Sequence, residues 1–188
     1  MGKKSISFEN MARWLANENG KGLKFDPKIA GEDFNTVVNG LVKMFETGRG
    51  LFLCGDVGCG KTFLMKNLYQ RLDFHKEKRW VDCSDADGFL WVIDKNQNAE
   101  YYRKELNKVV FIDDFGVEVK TSYGRRVDFV GSFIHNFHSI GNGRLIISSN
   151  LNREMISQLY DDRLLDRILE MCVIVQFKGK SKRERIFA

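Results

Sequence analysis

Apolar residues along this chain follow two spacings. Some recur every three to four positions, and others form short unbroken runs. Phe34, Val37, Val38, Leu41, Met44 and Phe45 keep the first spacing from Glu32 onward, and Gly48 closes the segment. That pattern predicts a strong amphipathic helix. Leu51-Phe52-Leu53-Cys54 is an unbroken run, and Phe63, Leu64, Met65 and Leu68 return to helical spacing as far as Leu72. A strand is expected at 79–83, a helix opened by Ser84 through Ile93, and a further helix at 101–106. Val109-Val110-Phe111-Ile112 and Leu145-Ile146-Ile147 are again unbroken, as strands buried on both faces require. Between them Val127, Val130, Phe133, Ile134 and Phe137 share one helical face. Short helices are expected near 153–159 and 162–169, then a last strand at 172–177. Strands alternating with helices predict an α/β fold with a mainly parallel sheet flanked by helices.

The first residues stand apart. Phe8, Met11, Ala12 and Leu15 lie at i, i+3, i+4 and i+7 behind Ser7, with Trp14 on the flank, and Asn19-Gly20-Lys21-Gly22 breaks the pattern. Residues 1–22 therefore read as a short amphipathic helix and linker, and residues 23–188 as the core with a basic C-terminal tail. The single proline, Pro27, marks an extended or turn segment.

Chemistry enters between the first strand and its helix. Gly55-Asp56-Val57-Gly58-Cys59-Gly60-Lys61-Thr62 is a complete G-x-x-x-x-G-K-T phosphate loop in the strand–loop–helix setting that the motif needs. The three glycines let the backbone turn tightly and aim its N–H groups inward. The helix beginning near Lys61 adds the positive end of its dipole. Lys61 can reach the β- and γ-phosphates of ATP, and the Thr62 hydroxyl can hold Mg²⁺. Asp113-Asp114 ends the next buried run. In that place Asp113 is the expected Mg²⁺ partner, and Asp114 lies where a carboxylate could polarise the attacking water. Ser148-Ser149-Asn150 ends another strand, and an amide there can orient water or sense the γ-phosphate; alone, such residues are ordinary turn formers. Arg163 and Arg167 are spaced i, i+4 on one helix face. They can stabilise transition-state charge, or pair with Asp162 or Asp166.

Bulk properties narrow the classes. A chain of 188 residues, 43% hydrophobic, is expected to form one domain with a real core. No apolar stretch reaches membrane-spanning length, and no signal segment follows Met1-Gly2-Lys3-Lys4. Cys54, Cys59, Cys83 and Cys172 lack metal-ligand spacing, which points to reduced thiols in a cytoplasmic protein. The net charge is +5, and Lys178, Lys180, Lys182, Arg183 and Arg185 against Glu184 supply most of it. A basic tail fits a polyanion partner or mere solubility.

In order, GDVGCGKT, VVFIDD, LIISSN, YDDRLLDRILEMC and FKGKSKRER resemble the AAA+ ATPases of the DnaC/IstB type, which include replicative helicase loaders and transposition ATPases. The resemblance spans residues 23–186, and its ending, DRILEMC with FKGKSKR, is the more specific part. It implies a P-loop NTPase fold of the AAA+ type, with ATP and Mg²⁺ as cofactors. It implies Asp114 as catalytic acid, Asn150 as first sensor, and Arg167 as the arginine finger acting on the next subunit, with Arg163 a second candidate. Arg183 falls near the second sensor and would help bind ATP. Residues 25–31 look like the element that contacts adenine. The implied activity is an ATPase, weak alone and dependent on assembly. The implied partners are single-stranded DNA, a replicative helicase and further copies of the chain, with no membrane.

The chain departs from the loader pattern in two places. Only about 22 residues precede the core where loaders usually carry a helicase-gripping domain, and the usual lid is expected to be absent or vestigial. The helix at 8–15 is then either a minimal docking element or packed on its own domain. Tyr101, Tyr102 and Tyr123, with Arg103, Arg125 and Arg126 nearby, are candidates for stacking single-stranded bases. Three alternatives stay open: an IstB-like regulator on duplex DNA, a small-molecule kinase using the same loop, and a module that uses ATP only as a switch.

Overall fold

The computed structural model describes residues 32–71, 77–83, 107–117, 120–122, 125–127 and 129–178. The expected helices at 8–15, 84–93 and 101–106, the segment 25–31, Tyr123 and Arg183 lie outside these residues. Helix α1 (Glu32–Thr47) leads into strand β1 (Gly50–Cys54), and helix α2 (Lys61–Arg71) follows the phosphate loop. Strands β2 (Lys78–Asp82) and β3 (Val109–Phe115) come next. A small hairpin of β4 (Lys120–Ser122) and β5 (Arg125–Val127) precedes helix α3 (Phe129–Ile140). Strand β6 (Arg144–Ser149), helices α4 (Arg153–Leu159) and α5 (Asp162–Met171), and strand β7 (Cys172–Gln176) complete the order.

The main sheet runs β2-β3-β6-β1-β7, and every pairing in it is parallel. Side chains alternate across a strand, so the apolar runs feed both faces. Leu51, Leu53 and Phe111 point into a core built with Val37, Leu41 and Met44 of α1 and Leu64, Met65 and Leu68 of α2. Phe52, Val110 and Ile112 point the other way, onto Phe133, Ile134 and Phe137 of α3 and Leu164 and Ile168 of α5. Gly40 explains how closely α1 approaches β7, because a Cβ there would lie 2.1 Å from the Val175 Cγ2. Helices α4 and α5 begin at side-chain caps, Asn152 accepting from the Met155 N–H and Asp161 from the Leu164 N–H. Among the described residues no helix is long and apolar enough to cross a membrane.

The structure corrects three sequence expectations. Val127 is not on the helix: it pairs with Lys120 in the antiparallel hairpin, and the helix starts at Phe129. A valine three residues before Val130 fits a helical face and a strand end equally, so spacing could not separate them. Strand β3 does not end at the acid pair but runs on to Phe115, and β6 likewise continues through Ser148 and Ser149. Helix α5 extends to Met171 and passes directly into β7.

Candidate nucleotide-binding site

Strand order brings the scattered motifs together. Cys54 is level with Ser149 across the β1–β6 pairing, so the loop that leaves β1 and the turn that leaves β6 start side by side. Strand β3 flanks β6 on its other edge. The motifs therefore converge at the C-terminal ends of adjacent parallel strands, where open α/β sheets bind ligands.

The phosphate loop has the backbone its glycines suggested. Gly55, Gly58 and Gly60 have φ of 144°, 83° and 110°, values that side chains rarely tolerate. Gly55 is also pressed against the chain after β7, where a Cβ would lie 2.6 Å from the Phe177 carbonyl oxygen. Asp56 and Val57 are exposed, whereas Cys59 is fully buried in the α1–α2 core and anchors the loop from beneath.

Lys61 is the first residue of α2 and only 4% exposed. Its ammonium donates to the Gly55 carbonyl at 2.8 Å, the Asp56 carbonyl at 2.9 Å and the Asn150 Oδ1 at 2.8 Å. An ammonium has three N–H donors, so the set is complete, and that is what makes burying the charge tolerable. The Cys59 Sγ lies 3.7 Å away.

Beside it runs a second network. The Thr62 hydroxyl donates to the Asp113 Oδ1 at 3.0 Å, and the Ser148 hydroxyl donates to the same oxygen at 2.5 Å. Ser148 Oγ in turn accepts from the Asp114 N–H at 3.0 Å. Asp113 is 4% exposed and Ser148 is fully buried. The β3–β6 register shifts between Ile112 and Phe115: three steps on β3 match two on β6. This bulge re-aims the acid pair, as bulges near functional sites do. Asp114 is the one non-glycine residue with positive φ among the described residues, at 56°, a conformation that Asp tolerates better than most residues.

The site residues read from the sequence thus separate into groups. Lys61 and Asn150 form one set with the loop backbone, Thr62 and Asp113 form a second beside it, and Asp114 is tied to the second through Ser148. Arg163 is exposed on α5. Arg167 is half-buried, and its Nη1 meets the Nδ1 of His135 on α3 and, at 3.4 Å, the His135 carbonyl. These contacts of Arg167 lead to α3 and not to the phosphate loop. Ser148 joins acid to strand and was not singled out as a site residue. Its signal was present, since hydroxyls in a fully buried strand need a partner.

The donor set fits a nucleotide with its ion. Thr62 and Asp113 offer adjacent oxygens, the ligands that Mg²⁺ prefers, and Mg²⁺ takes its remaining ligands from water and phosphate. Among the described residues no group of three His, Cys, Asp or Glu could hold a metal by itself. All four cysteines are free and buried. Burial pushes the Cys54 thiol up, and the nearby Lys61 ammonium partly opposes this.

No protein-family model matches the chain, and no curated protein matches it. Solved structures do. Domain III of the Thermotoga maritima replication initiation protein DnaA superposes with a TM-score of 0.58 at 19% identity, covering 84% of this chain and 67% of that one. The DnaC helicase loader gives 0.57 at 19% identity, covering 88% of this chain and 98% of that one. DnaA bound to AMPPCP and single-stranded DNA gives 0.57 at 16% identity, and there the chain spans 50% of the longer protein. The fold is accordingly that of an AAA+ P-loop NTPase, like DnaC and DnaA.

Proposed function

We propose that this protein is an AAA+ ATPase that acts with DNA in replication, as a loader of a replicative helicase. The observation that carries the reading is the convergence of two hydrogen-bonded pairs, Lys61 with Asn150 and Thr62 with Asp113, beside one glycine loop. The likeness to the DnaC loader over 98% of that chain supports the replication role.

Each residue then has a task. Lys61 turns its ammonium from the Gly55 and Asp56 carbonyls toward the β- and γ-phosphates. Thr62 and Asp113 would hold Mg²⁺, which would supply charge neutralisation at the phosphates. Ser148 keeps Asp113 aimed by occupying one lobe of its carboxylate. Asp114 polarises the attacking water and accepts its proton. Asn150 leaves Lys61 and orients that water or reports on the terminal phosphate. Arg167 completes the site of a neighbouring protomer, with Arg163 beside it, so hydrolysis is weak in the isolated chain and rises on assembly.

The test is DNA affinity with and without ATP, on matched single-stranded and duplex oligonucleotides at one stated salt concentration, because phosphate contacts make affinity salt-dependent. ATP-dependent preference for single strands is the expected result. Preference for duplex would replace the loader with an IstB-like role. Binding to neither would remove DNA from the proposal.

A further inference from the structure

Strand β7 is the outermost strand of the sheet at the β1 side among the described residues. Its backbone polarity can be assigned from its pairing. The Phe177 N–H donates to the Cys54 carbonyl at 2.7 Å, and Cys54 is level with Gln176. Peptide groups alternate in direction along a strand. Residues 173, 175 and 177 therefore face β1, and residues 172, 174 and 176 face outward. The outward carbonyl of Cys172 is taken by the Arg49 Nη2 at 2.8 Å, and the same nitrogen also donates to the Leu169 carbonyl. Among the described residues no strand pairs with the outward N–H and C=O groups of Ile174 and Gln176, and the Ile174 side chain is 36% exposed. An open edge is a template for another strand.

This edge lies in a groove of about 850 Å³ between α1 on one side and the start of α4 and end of α5 on the other. Among the described residues its charged lining is all of one sign: Lys43, Arg49 and Arg153. Among the described residues the buried Nε of Arg49 has no hydrogen-bond partner. The floor is apolar, from Leu169, Val173 and Ile174. Among the described residues no aromatic ring lines the groove, and stacking on such rings is what single-stranded nucleic acid uses.

We propose that the outer edge of β7 is a docking site for an extended acidic segment of a partner protein, added to the sheet as a sixth strand. The Ile174 and Gln176 backbone groups supply pairing. Leu169 and Ile174 receive the apolar side chains on one face of the added strand. Lys43, Arg49 and Arg153 select acidic residues at its margins. The proposal does not depend on nucleotide chemistry or on the function proposed above.

The probe is a short synthetic peptide alternating glutamate and valine, with the Ile174 and Gln176 amides followed by hydrogen exchange on the full chain. Saturable binding that protects those two amides is expected. Methylating alternate backbone nitrogens of the peptide keeps its charge but removes its donors, and should abolish binding. Lys43→Glu should weaken binding about tenfold. Ile174→Pro should remove it while leaving the β1 pairing intact, since that N–H faces away from β1. ATP binding by both variants serves as the folding control, because neither residue belongs to the phosphate site. Undiminished binding of the methylated peptide, or no protection of Ile174 and Gln176, would overturn the proposal. So would stronger protection by a single-stranded oligonucleotide, or protection that rises with protein concentration alone.

Discussion

At their N-terminal halves β1, β3 and β6 bury only apolar side chains, among them Leu51, Val109, Val110, Phe111 and Leu145. At their C-terminal ends β3 and β6 bury Asp113, Ser148 and Ser149, with Lys61 alongside at the start of α2. Of the buried polar side chains among the described residues, only Asn67 lies away from that end. Among the described residues fully buried polar side chains are therefore concentrated at one end, while the buried Nε atoms of Arg49 and Arg79 belong to partly exposed side chains. Each buried polar group there costs free energy unless its partner is present. The apolar side chains of the other half carry no such condition. The stable half thus positions a costly half, as expected where a site is preorganised at the expense of local stability.

The comparison can be broken at its apolar side first. Phe111 is fully buried, stacked on Trp80 at 5.8 Å between ring centroids and edge-on to Tyr69 at 5.1 Å. Phe111→Ala should cost about 4 kcal/mol of unfolding free energy, while the folded fraction keeps its ATP affinity. Chemical denaturation alongside ATP titration checks both. Equal loss of affinity would mean the two halves are not separable.

At the polar side the pattern should invert. Lys61→Ala is expected to weaken ATP binding by about a hundredfold or more, about 3 kcal/mol, and to leave the denaturation midpoint almost unmoved. Calorimetric titration that still finds micromolar affinity would sink the phosphate-loop assignment.

Ser148 belongs to both halves, since it lies in a core strand and holds the acid pair. Ser148→Ala removes its bonds to the Asp113 carboxylate and the Asp114 N–H. It should cost about 2 kcal/mol of stability and also slow hydrolysis. A change in only one of these would show that Ser148 serves a single half.

The smallest effect is a pH dependence at the apolar end. Burial pushes the Cys172 thiol up to about 12 from 9.0. Between those values the unfolded chain loses this proton and the folded chain keeps it, so stability falls as pH rises. At about pH 10 the loss is about 1.4 kcal/mol. Denaturation of wild type and Cys172→Ala across that range should show a shallower slope in the variant; parallel slopes would remove Cys172 as the cause.

The local parts of this protein were legible in its residues. The G-x-x-x-x-G-K-T run, the unbroken apolar strands and the helix periodicities all act over a few neighbours, so order along the chain was enough to read them. Tertiary structure decided the rest. Asn150 meets Lys61 across 89 residues and Ser148 meets Asp113 across 35, and nothing in local spacing specifies either contact. They follow from the strand order β3-β6-β1, which sets which strand ends are neighbours. The bulge that turns Asp114 to φ 56° exists only against the register of β6. Val127 went to the hairpin because cross-strand pairing with Lys120, invisible to periodicity, took it from the helix. Periodicity reports which face of an element is buried; which elements are then neighbours is settled by packing between segments far apart in the chain.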